Sequence, residues 1–521
     1  MHRNTLYPTA ITLLIPFITL SYALIPKPYE YNATTTLCSI GETLEFIHEY
    51  HSCFILKEAL KRFDEHLSLR NTPLLSNDTS TCVITSLSVT IEQSCDESEN
   101  KAWPSDMMDE SYVLKIAEGG IEISSQEIWG VLHALETILQ LTYRSEWDSK
   151  VIYQGDISDV PVFSHRGIMI DTARHFLSVP EIEKMIDAMS MVKMNVLHWH
   201  VTDDESFPFV VSAYPQLSTL GAYNPQLMVY QRNEVLSLLE YARLRGVRVM
   251  AEFETPAHSQ SWGSLSNTFL TQCYKEGQPE DRYGPINPSD DEAFTALSNI
   301  FNEILSVFPD TLLHFGGSEV TFDCWQSNPT IQEFMQKQSL GDDYYSLEDF
   351  YFRKLMETVL GTNSSEWTVS PVIWEDVFDN GYRGEPATVV HVHQAEYKSV
   401  IEEATKAGYR VITSSCWKLN EKKLGDDWRK YYECDFSTFD ANDDQLALLI
   451  GGEALLWGFY VDDANLFPAT WPLAATVAER LWSQEPPETE VFAQELDELR
   501  CRMLRRGWSA QAITGPGFCF P

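Results

Sequence analysis

Eight short apolar runs, separated by stretches with helical periodicity, constrain this chain more than any other feature of it. They are Arg166–Asp171, Asn195–Val201, Val247–Phe253, Thr311–Gly317, Val369–Glu375, Thr388–Gln394, Arg410–Ser415 and Leu446–Trp457. Strands that are apolar throughout, with helices between them, indicate a parallel sheet covered on both faces. In one intervening segment Ile182, Met185, Ile186 and Met189 fall at i, i+3, i+4 and i+7, an amphipathic helical face. Val235, Leu238, Leu239 and Ala242 repeat that spacing, and Gly246 stands where a helix C-terminus favours positive φ. Eight such units in about 350 residues predict an α/β fold, a (β/α)8 TIM barrel with insertions. A doubly wound open sheet is the alternative, but no GxGxxG follows a strand.

Upstream of Pro161 the pattern changes. Helix-like residues around Gly41–Phe63 precede alternating runs at Thr81–Ile91 and Ser111–Glu122, the latter broken by Gly119-Gly120, and a helical stretch covers Glu127–Tyr143. This predicts a small α+β domain with its own sheet over residues 24–160, followed by the barrel and a C-terminal tail over 161–521. Residues 1–23 read as a secretory signal peptide: His2 and Arg3, an apolar stretch from Ala10 to Leu20, then Ser21-Tyr22-Ala23 with small residues at −3 and −1. That stretch is short for a bilayer span and holds Pro16. No later segment approaches about 18 uninterrupted apolar residues, so no span is expected in the mature chain.

A secretory entry gives other features meaning. Asn32, Asn77 and Asn363 each open an acceptor sequon for N-glycans. Ten cysteines, none in a CxxC or Cys/His cluster, fit disulfides in an oxidising compartment rather than zinc. Cys273–Cys324 and Cys501–Cys519 are the expected pairs. Cys38, Cys53, Cys82 and Cys95 pair among themselves in an order that spacing leaves open, and Cys416 and Cys434 are left unassigned. With 76 acidic residues against 37 Lys and Arg, the net charge is −39. Such a field repels phosphate backbones and anionic lipid surfaces, which excludes nucleic acid and peripheral membrane as partners.

The barrel makes a sharp demand, because its active face is built from the loops after each strand. Polar residues do collect there: Asp171 with Arg174-His175, then His198-Trp199-His200 with Asp203-Asp204, Glu252 and Glu254 with His258, and His314 with Ser318-Glu319. Trp374-Glu375-Asp376, Cys416-Trp417-Lys418, and Glu453 with Trp457 follow on later strands. Any one Trp so placed is as often packing, and a lone carboxylate is more often a surface or capping group. Recurrence after so many strands is not what scattered surface charge produces. Trp faces that stack on a pyranose and charged groups that hold hydroxyls point to a sugar.

Arg166-Gly-Ile-Met-Ile-Asp-Thr-Ala-Arg-His175, Asn195-Val-Leu-His-Trp-His-Val-Thr-Asp-Asp204, Ala251-Glu-Phe-Glu-Thr-Pro-Ala-His258, His314-Phe-Gly-Gly-Ser-Glu-Val320 and Gly451-Gly-Glu-Ala-Leu-Leu-Trp-Gly458 occur in that order. With them the chain, from about Ser111 to Cys519, resembles the family 20 glycoside hydrolases, β-N-acetylhexosaminidases of the lysosomal type. The resemblance implies an α+β domain ahead of a TIM barrel, and removal of terminal non-reducing N-acetylglucosamine or N-acetylgalactosamine with retention. The substrate's 2-acetamido oxygen then serves as nucleophile, an exception to the two-carboxylate scheme. It implies Glu319 as general acid and base, Asp203 and His258 as its supports, and Arg174 on ring hydroxyls. Trp374 and Trp417 would wall the acetamido pocket, and no metal or organic cofactor is expected. A lysosomal or secreted location and dimerisation, with itself or with a homologous subunit, are further family expectations.

The same comparison marks departures. Ser318 stands where the family has an Asp that accepts the acetamido N–H, and Lys418 where it has a Tyr that donates to the acetamido oxygen. His393 replaces a pocket Trp, Phe459 a Glu that holds the far hydroxyls, and Glu254 and Ala257 an Asp and a Gly. Loss of one preorganised electrostatic group costs about 10² to 10³ in rate. Three accounts stand side by side: a hexosaminidase of lowered activity, a glycosidase for a sugar with another 2-substituent, and a glycan-binding protein or partner subunit without turnover.

Overall fold

In the computed structural model the described residues are 24–68, 74–75, 80–98, 100–145, 148–361, 369–420, 427–515 and 517–519. The expected signal peptide and the sequons at Asn77 and Asn363 lie outside them. Asn32 is exposed on the first strand.

The N-terminal sheet has seven strands: β1 (Glu30–Ile47), β2 (Leu74–Leu75), β3 (Cys82–Ile91), β4 (Tyr112–Ala117), β5 (Gly119–Ser125), β6 (Tyr143–Ser145) and β7 (Lys150–Asp159), in the order β1-β3-β5-β4-β7-β6-β2 with β1 also pairing β7. Gly119, at φ 92°, makes the tight β4–β5 turn. The helices Phe54–Ser68 and Ile128–Leu141 pack on one another and on the sheet. The helix expected over residues 41–63 is corrected: its first part continues β1, and the helix begins only at Phe54. Disulfides Cys38–Cys82 and Cys53–Cys95 tie β1 to β3 and the helix start to the loop after β3.

The eight apolar runs form the barrel. β8 (His165–Asp171), β9 (Val196–Thr202), β10 (Arg248–Thr255), β13 (Leu312–Gly316), β14 (Ser370–Trp374), β15 (Val389–Val392), β16 (Arg410–Thr413) and β17 (Leu449–Leu456) pair in parallel and close between β17 and β8. The hairpin β11 (Leu270–Lys275) and β12 (Gln278–Ile286) is inserted after β10 and is tied to the β13 loop by Cys273–Cys324. Cys501–Cys519 and Cys416–Cys434 complete the bonded pairs. Both amphipathic segments are helical, at Val179–Met191 and Arg232–Arg243, with Gly246 at φ 71° just beyond the second.

Alternation along each strand separates two faces. Ile168, Leu197, Ala251, Leu313 and Val390 face the helices. The inward side chains form layers, and Val196, Met250, Leu312, Val372, Val389 and Ile412 make an apolar floor. Two residues further along the strands, His198, Glu252, His314, Trp374 and His391 replace the usual branched aliphatics, all of them buried. The barrel axis is therefore polar directly beneath its mouth. The sheet and barrel are joined by buried ion pairs, Arg166–Glu110 at 2.5 Å and Lys193–Asp159 at 2.7 Å.

Candidate active site

The polar layer is a continuous web of imidazoles and carboxylates. His198 sets Nδ1 2.7 Å from Glu453 and Nε2 3.0 Å from Glu252. Glu252 also meets His200 Nδ1 at 2.5 Å and accepts from Trp374 Nε1 at 2.6 Å. His200 Nε2 in turn lies 3.0 Å from Asp203 Oδ2. Burial disfavours a charged imidazole, but the flanking carboxylates outweigh it and raise His198 to about 9 and His200 well above its ordinary range. Glu252 is held well below the usual carboxylate range by His200 and His314, against its burial. Buried charges persist here because each has a partner of opposite sign.

Asp203 carries this web to the surface of the mouth. Besides His200 it pairs with Arg174 Nη2 at 2.7 Å and with His258 Nδ1 at 3.2 Å. Those partners overcome burial and keep Asp203 far below the ordinary carboxylate range. Arg174 is also bonded to Asp171 at 2.8 Å, and its guanidinium lies 4.4 Å from the Phe459 ring and 5.0 Å from that of Trp457. His258, opposed by burial but favoured by its bond to Asp203, is raised to about 9. Its Nε2 stands 3.8 Å from Glu319 Oε2.

Glu319 reaches the mouth through an unusual turn. Gly316 and Gly317 have φ of 78° and 99°, and Glu319 itself 50°. A Cβ on Gly316 would come within 2.1 Å of Glu254 Oε1, and one on Gly317 within 2.1 Å of Val377 Cγ2. Only glycine fits either position, and the non-glycine left-handed residue that follows is strain of the kind stored at functional sites. Glu254 Oε1 accepts from the Gly317 amide at 2.7 Å and the Ser318 amide at 3.3 Å. Burial and the charge of Glu252 push Glu254 well above the normal range, against the pull of His258 and His200. The Glu319 side chain, by contrast, is 68% exposed and meets whatever enters the cleft.

These groups meet in a concave cleft, the usual form of a small-ligand site. Nine residues expected from the sequence line it: Arg174, Asp203, Glu254, His258, Ser318, Glu319, His393, Lys418 and Trp457. Trp374 and Trp417 lie behind it. Both are fully buried, Trp374 stacked on His391 and Trp417 donating from Nε1 to Tyr431 O at 3.1 Å. Gln394 and Phe459 also line the cleft. Asp171, which anchors Arg174, and His200, which anchors Asp203 and is itself held by Glu252, were visible as strand-end polar residues but carried no signal of their partners.

An exposed carboxyl beside a protonated imidazole, a guanidinium fixed by two carboxylates and an aromatic rim can bind a polyhydroxylated ring and donate a proton to a leaving oxygen. Residues 163–485 match the model described as "Glycosyl hydrolase family 20, catalytic domain", and residues 24–141 the one described as "beta-acetyl hexosaminidase like". The chain is 41% identical to the Felis catus beta-hexosaminidase subunit beta over 474 residues, 90% of this chain and 87% of that one. It is 40% identical to the Rattus norvegicus subunit alpha, with 90% and 88% covered. Among solved structures, a chitobiase from Flavobacterium johnsoniae superposes with a TM-score of 0.79 at 23% identity, over 93% of this chain and 73% of that one, a likeness of fold.

Proposed function

The chain belongs to glycosyl hydrolase family 20, and from that premise we propose that it removes terminal non-reducing N-acetylhexosamine by a retaining, substrate-assisted route in which Glu319 is the general acid and base. The observation that carries the assignment of residues is the contact chain Asp203–His258–Glu319, at 3.2 and 3.8 Å, opening on the one cleft that also holds Arg174. Arg174 holds ring hydroxyls through charge-assisted bonds. Glu319 donates its proton to the glycosidic oxygen as the 2-acetamido oxygen attacks the anomeric carbon. The resulting carboxylate then takes a proton from the incoming water. No enzyme nucleophile takes part.

On this reading residues 24–160 support a catalytic unit over 161–521, and residues 1–23 are a leader that brings the chain into the secretory pathway, to a lysosome or the outside. Five disulfides suit that route. No helix among the described residues is long and apolar enough to cross a membrane. The relatives are named as subunits, which supports a homo- or heterodimer. Ser318, Lys418, His393 and Phe459 favour a second reading, a catalytically impaired homologue that binds glycans or serves as a partner subunit.

Release of the chromophore from an aryl β-N-acetylglucosaminide by wild type and Glu319→Gln separates the two. A fall of about 10² to 10⁴ in kcat is expected. Equal background release from both proteins leaves only the binding reading.

A further inference from the structure

We propose that a cavity between the N-terminal domain and the barrel binds a tetrahedral oxyanion, a phosphate or sulfate group, through Arg62, His66, Arg245 and Arg506. The cavity lies apart from the cleft and shares no residue with it.

Five segments of the chain build this site. Arg62 and His66 stand one turn apart on the helix Phe54–Ser68, and Glu136 comes from the helix Ile128–Leu141. Asp187 belongs to the barrel helix Val179–Met191, and Arg245 follows the helix Arg232–Arg243. Arg506 stands just past the last helix, Thr489–Arg505. The cavity holds about 70 Å³. At roughly 10–15 Å³ for each water-sized occupant, that is room for the central atom and four oxygens of a phosphate or sulfate.

Three guanidiniums meet two carboxylates there, in a chain whose acidic residues outnumber Lys and Arg by 76 to 37. Both carboxylates are already engaged. Asp187 accepts from Arg245 Nε and from Tyr241 OH, the latter at 2.8 Å. Both Glu136 oxygens accept from Arg506 Nη2, at 3.0 and 3.2 Å. Arg62 donates Nη2 to Leu244 O at 2.5 Å, but among the described residues no carboxylate, Glu58 one turn earlier included, comes within ion-pair distance of it. The sequence after its helix carries no acid before Asp78. His66 Nδ1 is buried with no partner.

Like charges are thus crowded without relief. Burial and then Arg245 lower Arg62 to about 10, against the pull of Asp187. Burial and then Arg506 lower His66 to about 4, so its ring is neutral at pH 7 and one nitrogen donates. Water can take these donors but brings no counter-charge. An oxyanion brings charge and several acceptors together, and a guanidinium fork matches its geometry. Because the lining belongs to both domains, the bound anion pins one to the other.

Calorimetric titration of the full chain with inorganic phosphate, sulfate and glucose 6-phosphate, against chloride at fixed ionic strength, tests this. Wild type binds one phosphate or sulfate per chain with a Kd of about 1 mM or below. Arg62→Gln weakens that binding about tenfold or more, the size of a lost charge-assisted bond. Lys61→Gln makes the same charge change at an exposed position of the same helix and leaves binding unaltered. The wild-type melting temperature climbs with phosphate as the site fills, beyond the general effect of the salt that Arg62→Gln also shows. If Arg62→Gln does not fold, His66→Phe takes its place: it removes the buried donor, keeps the ring, and weakens binding several-fold. Phosphate bound with glucose 6-phosphate refused assigns the site to the free ion, whereas binding of both assigns it to a phosphomonoester. The assignment is overturned if wild type gives no saturable heat up to about 20 mM, if the folded cavity variant binds as wild type does, or if Lys61→Gln weakens binding equally.

Discussion

Asp203 Oδ1 lies 3.2 Å from His258 Nδ1, and the pair joins Glu319 at the mouth to the buried web beneath it. Through Asp203 the charge states of His200, Arg174 and His258 are set together, because all three share one carboxylate.

Asp203→Asn keeps the shape of that carboxyl and removes its charge. His258 then loses the partner that holds it near 9 and titrates closer to the ordinary histidine value of about 6.5. The kcat of the variant falls about 10²-fold or more, in the range of a lost acid–base support. Its pH profile gains an inflection near neutrality that wild type lacks. Steady-state rates from pH 4 to 9 check both expectations, and a variant profile parallel to wild type contradicts them.

Glu348 offers a stability test away from the cleft. It is buried, its Oε1 has no partner, and burial with a lesser push from Asp376 raises it to about 8, against a bond from Asn380. A carboxyl raised in the folded state favours folding while both states are protonated. That advantage is lost as pH climbs from about 4.5 through about 8. Glu348→Gln removes the dependence. The variant melts a few degrees above wild type at pH 8, roughly 2–4 °C per kcal/mol, and shows no gain at pH 4.5.

Gly317→Ala places a Cβ 2.1 Å from Val377 Cγ2 at a φ of 99°. Strain alone costs about 1–2 kcal/mol, and the clash adds to it. Activity falls more than stability, because the turn aims Glu319. Gly317→Ala combined with Val377→Ala relieves the clash but not the strain, so the melting temperature stays below wild type and the rate remains depressed, as measured by calorimetry and aryl-glycoside turnover.

Ser318→Asp with Lys418→Tyr returns the acetamido contacts implied by the resemblance. Turnover of the aryl N-acetylglucosaminide rises, by up to about 10²-fold if one electrostatic group is regained. No gain means that His393, Phe459 or Glu254 governs the pocket.

The barrel was legible because strands buried on both sides leave unbroken apolar runs, and all eight appear within a few residues of their expected bounds. β1 was not, since its first residues are mostly exposed and polar, so neither apolar alternation nor a run marks them. The residues lining the cleft were legible from strand ends. Side-chain direction was not: Trp374 and Trp417 share the strand-end signature of Trp457, yet their indole nitrogens bond backward, to Glu252 and Tyr431 O. The polar interior layer was the least legible, because His198, Glu252, His314 and His391 each look like isolated polar interruptions until closure of the barrel brings them together.

The glycine turn beneath residue 319 has a corollary. With Glu254 on one side and Val377 on the other, that pedestal leaves no room for an added side chain, whereas residues 393, 418 and 459 line the cleft outside it. A substitution at any of those three positions changes what a ligand meets without disturbing the turn that carries Glu319.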